Sequence, residues 1–488
     1  MSADAKATLP GSILTYVLVI MMVVSILLVS ILQYVSSQIR NAQYAVSREQ
    51  AFQVAEQGIQ FYKWYLAHQT DGRTAQQIQA FWDSGTAFGV GSDYVADVSD
   101  PSGGVMGTYR LRVTPPQSGS TVVWVESTGE MSRYPGKTRT IRVRFRRPSW
   151  SEHTVLANDF MRFGEGTEVY GMIMSNGGVR FDGLAHNVVT SAAVSADDED
   201  HSGGNEHGVH THVRIPPSSG VSSTPLSSEL ATQTVRSRQD VFMAGREFPV
   251  TSTDFNGVLG DLGYMRSEAQ AGRGRYFNSS GSGRRIILKT NGTYDVCTVN
   301  DYNSSTNVII NYLKNSGSGT CGSCSGQCLS NYPIVQNGVI FVEDNVWLEG
   351  QVSGKRITVT AANLSGGSFA PSVFIPNNVR YTNYDGTDVI GIIGQRDVEI
   401  PSNAANTLRI DGALLAQQGR VGMENYGVHR DTITVFGAIA TNDRYGFAWT
   451  NGTGYENRNL FYDNNLLYYP PPYFPTGTQY RLDLWEEL

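Results

Sequence analysis

Charge is scarce in this chain. Asp, Glu, Lys and Arg make up 17% of its 488 residues, against roughly a quarter in an average soluble domain. The formal net charge is −7. No overall positive field exists to draw in a phosphate backbone, so nucleic acid is excluded as an expected partner. Proline is absent between Pro10 and Pro101, and no charged residue stands between Ala7 and Ile39. Cysteine is limited to four positions and histidine to eight. An H-E-x-x-H helix and a G-x-S-x-G elbow are both missing, which removes the usual sequence signs of a zinc protease or a serine hydrolase. Glycine is plentiful, 52 of 488 residues, and aromatics make up 10%. That mixture rules out intrinsic disorder. It also disfavours an all-helical protein, because glycine weakens helices. Many short strands joined by tight turns would use it.

The charge-free stretch has a purpose. Ile13–Leu32 is almost entirely Val, Ile, Leu and Met, and twenty such residues rise about 30 Å as a helix, enough to cross a bilayer. A cleaved signal peptide has an apolar stretch of only about 7–15 residues followed by a small-residue cleavage site; this run is longer and no such site follows. The apolar part, taken as 13–35, is expected to stay as a single-pass anchor. Lys6 on the short side favours a cytoplasmic N-terminus. Beyond it, Val35, Ile39, Ala42, Val46, Phe52, Ala55, Ile59, Tyr62 and Leu66 recur mostly at steps of three and four, one stripe along a helix. A single helix over 12–68, roughly 85 Å long, is predicted.

A helix that begins apolar after a short leader and then turns amphipathic resembles that of a type IV pilin-like protein. Gly11-Ser12-Ile13-Leu14 and the segment Ala51-Phe52-Gln53-Val54-Ala55-Glu56-Gln57-Gly58-Ile59 are similar to those of minor pilins of the PilX-like kind. The rest of the chain, with Tyr469-Pro470-Pro471-Pro472-Tyr473-Phe474-Pro475 near its end, looks like large pilin-like surface proteins. The resemblance implies a leader 1–11 cleaved between Gly11 and Ser12, and filament assembly through Ile13, Leu14, Tyr16 and Glu56. It implies other pilin subunits and the pilus assembly machinery as partners, with residence in the inner membrane before export to an extracellular filament. The implied role is that of a minor subunit carrying a β-rich domain for adhesion to a surface or carbohydrate ligand, without enzymatic activity. Two positions depart from the family: Leu9 and Pro10 stand where a basic residue is usual, and Tyr16 where the fifth mature residue is usually Glu.

After the helix, Thr74–Asp83 reads as a second short helix. Tyr109–Val113, Thr121–Glu126 and Thr140–Phe145 alternate apolar with polar and are separated by turn residues, the mark of an antiparallel sheet with one wet face. A head of 69–148 is expected, its sheet packed on the long helix. From 149 the texture changes. The pattern apolar-x-Gly-x-apolar-apolar followed by a small or amide residue occurs at Val169–Asn176, Val389–Gln395, Ile410–Gln417 and Val435–Asn442, with a partial copy at Leu348–Val352. Recurrence with glycine corners fits a β-solenoid-like domain over 149–463; an ordinary β-sandwich is the alternative. A Ser/Gly/Asn/Asp-rich stretch at about 186–332 is read as surface insertions, and 464–488 as a proline- and aromatic-rich cover. The fold class expected is therefore α+β.

Three sets of residues bear on chemistry. Cys297, Cys321, Cys324 and Cys328 would pair as disulfides in an exported protein, or hold zinc in a cytosolic one. His201, His207, His210 and His212 lie among Asp197, Asp198, Glu199, Asp200 and Glu206; imidazoles with carboxylates bind divalent metals, and the bland alternative is a solvated polar loop. No motif demands a cofactor beyond that possible divalent metal. Arg396, Asp397, Glu399, Arg409 and Asp411 fall on neighbouring candidate repeats. They keep open a rival class, a membrane-anchored polysaccharide-acting enzyme on a β-helix scaffold.

Overall fold

The computed structural model describes residues 11–117, 120–255, 258–314, 317–320, 331–366 and 369–488. Helix α1, Gly11–Thr70, runs unbroken for 60 residues, about 90 Å. From residue 13 to 46 its side chains are exposed on every face. From Ser47 onward one face is buried, carried by Ala51, Val54, Ala55, Ile59, Tyr62 and Leu66. Helix α2, Ala75–Asp83, starts where Thr74 and Gln77 form a capping box, so two otherwise unpaired backbone N–H groups are satisfied. It buries Ile78 and Trp82, and the Trp82 indole N–H donates to the Tyr480 hydroxyl at 2.9 Å.

The head sheet is antiparallel, in the order β1 (Tyr94–Ser99), β2 (Val105–Thr114), β3 (Val122–Met131), β4 (Thr138–Arg146) and then Arg481–Glu487. Burial alternates residue by residue along β2 and β3, with Leu111, Val113, Val123, Val125, Ile141, Val143 and Phe145 packed under α1. Helix and sheet meet at two glycines. A Cβ on Gly129 would strike the Ala51 carbonyl and come within 2.5 Å of the Ala55 nitrogen, and one on Gly58 would strike the Ser127 hydroxyl. The fifth strand corrects the reading of 464–488 as a cover throughout. Asp483, Glu486 and Glu487 pair with Arg144 (2.8 Å), Arg142 and Arg139 on β4. That alternation of charge sets the strand beside β4.

The remaining domain is built of parallel ladders. In one, the segments 274–277, 338–342, 356–361, 389–394, 413–416, 438–441, 155–157, 173–175, 189–191 and 246–247 lie side by side in that order. A second joins 283–288, 345–350, 379–381, 407–412, 432–437, 457–462, 168–169 and 184–185. A third face carries 373–374, 398–399 and 421–422, and separately 161–163, 179–181 and 209–210. Chain order and spatial order differ. The chain enters at 155, proceeds to 247, returns to 274 at the opposite end, and advances until Ile439 pairs with Val155.

At about 4.8 Å per strand the first ladder is about 43 Å long, and the connection 248–273 travels back along it. Helix α3, Val258–Gln270, lies in that connection. Leu262, Met265 and Ala269 of α3, with Leu466 and Phe474 of the tail, cluster with Val339, Phe341, Val389, Ile393, Leu415 and Ala440. The alternate residues Ile340, Val342, Val359, Ile390, Ile392 and Leu414 face the interior. The stretch 186–332 is therefore not simply a set of insertions: 189–191, 246–247, 274–277 and 283–288 belong to the ladders, and α3 covers one of them.

The repeated pattern has a structural counterpart. Ile410–Ala416 and Val435–Thr441 pair in register, glycine on glycine, at φ near +150° for both Gly412 and Gly437, where a side chain would be strained. Gly391 lies one place off, opposite Ala413. Two of the amides that close the pattern are joined in a ladder through Asn158: Asn176 Nδ2 donates to Asn158 Oδ1 at 2.7 Å, and Asn158 Nδ2 to Asn442 Oδ1 at 3.0 Å.

Candidate metal centre

The histidine-rich segment folds against the strand Val179–Phe181, whose Val179 and Arg180 pair with Val209 and His210. Asp182, just beyond that strand, accepts the His212 backbone N–H at 2.8 Å. This brings the imidazoles inward. Glu206 Oε1 lies 3.0 Å from His212 Nε2, while Glu206 Oε2 lies 3.3 Å from His210 Nε2 and 3.4 Å from His201 Nε2. Asp198 Oδ2 is 3.3 Å from His201 Nε2. One donor atom from each of Asp198, His201, Glu206 and His212 falls within 4.8 Å of all the others. Glu206, His210 and His212 are fully buried, and the His201 side chain is 6% exposed. The solvated-loop alternative is thereby set aside.

The far side of each ring fixes its tautomer. His212 Nδ1 lies 3.1 Å from the Ser222 carbonyl and His210 Nδ1 2.8 Å from the His207 carbonyl. A carbonyl only accepts, so both Nδ1 atoms carry hydrogen, and in the neutral ring each Nε2 lone pair faces the cluster. Neither nitrogen-ε of His201 and His210 has a hydrogen-bond partner. Burial holds the His210 imidazole below its ordinary pKa. Asp198 would be pushed up by burial, but the hydrogen bonds from Arg180 and from the Asp200 backbone hold it below the usual carboxylate range.

Arg180 is the buried cation here, with Nε 2.7 Å from Asp182 and Nη1 2.8 Å from Asp198. Among the described residues, no Lys or Arg pairs with Glu206. A neighbouring set is balanced: Glu229 lies 2.5 Å from Arg246 and 3.8 Å from Arg238, which also binds Asp240. His207 belongs near that set. Its ring lies tilted against Phe248, centroids 5.7 Å apart, and burial and then Arg246 lower its pKa. The structure thus brings together three of the four sequence-predicted histidines and leaves His207 out. Asp198 and Glu206 are visible in the sequence only as part of an acidic neighbourhood; nothing in the pattern singles them out from Asp197 and Glu199.

The other candidate residues are dispersed. Ile13, Leu14, Tyr16 and Glu56 are exposed along α1. Gly11 and Ser12 lie in the first turn of α1, and the leader residues 1–10 fall outside the described residues. Cys297 is buried beside Tyr312, Trp347 and Phe374 and is not a free thiol; Cys321, Cys324 and Cys328 lie outside the described residues. The carboxylates of the rival enzyme class are engaged locally. Asp411 accepts from Tyr384 at 2.7 Å and Arg409 at 2.8 Å, Glu399 from Tyr426 and from Asn307 at 3.1 Å, and Asp397 from the Arg420 backbone at 2.9 Å.

No family model matches the chain, and no curated protein matches it. Among solved structures, the chain is similar to the competence-associated pilin ComZ from Thermus thermophilus, over 91% of this chain and 97% of that one, at 13% identity and a TM-score of 0.31.

Proposed function

We propose that the chain is a minor, PilX-like pilin subunit of a type IV pilus or related surface filament, displaying its large β domain outward for adhesion or binding rather than for catalysis. The observation that carries this reading is the division of α1. Its second half is clamped in the head core, while residues 13–46 are bare on every face. A helix of that length and apolarity needs a lipid bilayer or the helices of other subunits around it; a pilin passes from the one to the other. The antiparallel head sheet packed on the same helix suits such a subunit. The parallel ladders, in-register glycines and asparagine ladder support reading 149–463 as a β-solenoid, a scaffold able to project a binding surface. Tyr16 offers no carboxylate to a neighbouring subunit's terminal amine, and the domain beyond the helix is bulky. Both favour a rare position at the filament tip.

Immunogold labelling with an antibody to 150–488 tests the assignment. Label confined to filament ends is expected. Continuous label along the shaft would refute the tip position, and label on the cell envelope alone would refute filament membership. N-terminal sequencing of the protein from cells should give Ser12 as the first residue. For an exported domain, reduction should add about four hydrogens to the intact mass, as two disulfides open.

A further inference from the structure

We infer that His201, His212, Glu206 and Asp198, with His210 as a fifth donor, form a closed site for one divalent transition-metal ion of the zinc class. The spacing of the donor atoms is the first argument. Around an ion bound at about 2.1 Å, neighbouring ligands lie about 3.4 Å apart in a tetrahedron and about 3.0 Å apart at right angles. The contacts of Glu206 with His212, His210 and His201 run from 3.0 to 3.4 Å, and that of Asp198 with His201 is 3.3 Å.

The tautomers supply the second argument. His210 and His212 spend their Nδ1 hydrogens on backbone carbonyls. With the rings neutral, their Nε2 lone pairs point at a carboxylate, acceptor against acceptor, and His210 Nε2 is fully buried without a hydrogen-bond partner. An ion between them turns that repulsion into ligation. A backbone carbonyl holding the remote imidazole nitrogen is the usual support of a metal-bound histidine.

Charge supplies the third. Asp182, Asp198 and Glu206 carry three buried negative charges beside the single buried cation Arg180. With neutral imidazoles the pocket is two positive charges short, and buried charge left uncompensated is strongly destabilising. A dication closes the deficit. Imidazole nitrogen with carboxylate oxygen selects the zinc class over calcium, which prefers all-oxygen sites. Near-complete burial leaves no ligand position open to substrate, so the ion would be structural. It would clasp the segment 198–212 to the strand Val179–Phe181 at the edge of the third face.

The test uses the full chain in detergent, stripped with a chelator and dialysed against zinc chloride with or without an about tenfold excess of calcium. Retention of one zinc per chain is expected, undisplaced by calcium, with an X-ray absorption shell of nitrogen and oxygen at about 2.0–2.1 Å. His212→Ala and Glu206→Gln should each weaken zinc binding by about tenfold or more, while His429→Ala, exposed elsewhere, binds as the parent does. The wild-type stoichiometry and absorption shell stand whether or not the variants fold. No retained zinc, displacement by calcium, or a sulfur shell at about 2.3 Å placing the ion on the cysteines would each overturn the site. So would parental affinity in folded His212→Ala.

Discussion

The head and the ladder domain solve the problem of a one-sided sheet in opposite ways. In the head, burial alternates strictly along β3, because α1 covers one face and water the other. In the ladder domain, Gly338–Val342 and Val389–Gly394 are buried at every residue, since the interior takes one face and α3 with the tail takes the other. The head is made specific by a helix pressed close enough to demand glycine. The ladder domain is made specific by identical positions repeating from rung to rung: glycine on glycine, amide on amide. The first arrangement fails at a single point of contact, whereas the second distributes the risk over many equivalent contacts.

That contrast can be broken from either side. Leu414→Ala removes an interior side chain from the middle of the first ladder and should cost about 4 kcal/mol. Hydrogen exchange should speed up in 389–394 and 438–441 and leave β3 unchanged. Gly129→Ala should act in the reverse sense, at about 3 kcal/mol. The added Cβ meets the α1 backbone, so exchange should rise in β3 and in α1 beyond Ser47 while the ladders stay protected. Equal effects in both domains from either variant would mean that they unfold as one unit.

A smaller effect comes from Glu399. Burial pushes its carboxyl from an ordinary 4.5 up to about 7, against the lowering effect of the Tyr426 hydrogen bond. Because the folded state holds this proton more tightly than the unfolded state, the stabilising contribution is present below pH 4.5. It declines as pH rises and is gone above about pH 7. The loss should reach about 2 kcal/mol once partial solvation is allowed for. Glu399→Gln should flatten the dependence, seen as the difference between the two stability-against-pH curves. Smallest is Asn158→Ala, which breaks the amide ladder at one rung and should cost about 1 kcal/mol, confined to the junction of 155–157 with 438–441.

Legibility follows the same division. Period-two alternation marks β2, β3 and β4 in the sequence, and the helical stripe marks α1, because each has one wet face. The first strand, β1, escapes: its buried residues are few and its pattern weak. The repeated glycine pattern marks the ladder segments, but not their spatial order, which no local signal encodes. Helix α3 is lost inside a polar stretch because its apolar face is read only against the ladder it covers. The tail strand is hidden behind the proline- and aromatic-rich stretch 469–475 that precedes it, although Asp483, Glu486 and Glu487 answer the arginines of β4. At the metal centre, the histidines stand out by rarity. The acidic partners do not, since choosing Asp198 and Glu206 over their neighbours requires the fold of the loop.

The order of the ladders bears on how the folded chain is finished. Residues 155–157 pair early with 173–175 on one side, but find their second partner only when 438–441 arrive, 284 positions later for Val155 and Ile439. The outer edge of β4 is likewise open until Arg481–Glu487 pairs with it. Both domains therefore keep an unpaired strand edge while the chain emerges, and both are sealed by late segments. A product of interrupted synthesis would carry two exposed edges, each a handle for a chaperone or protease. The topology acts as a completeness check: only a chain that reaches its closing strands hides both edges.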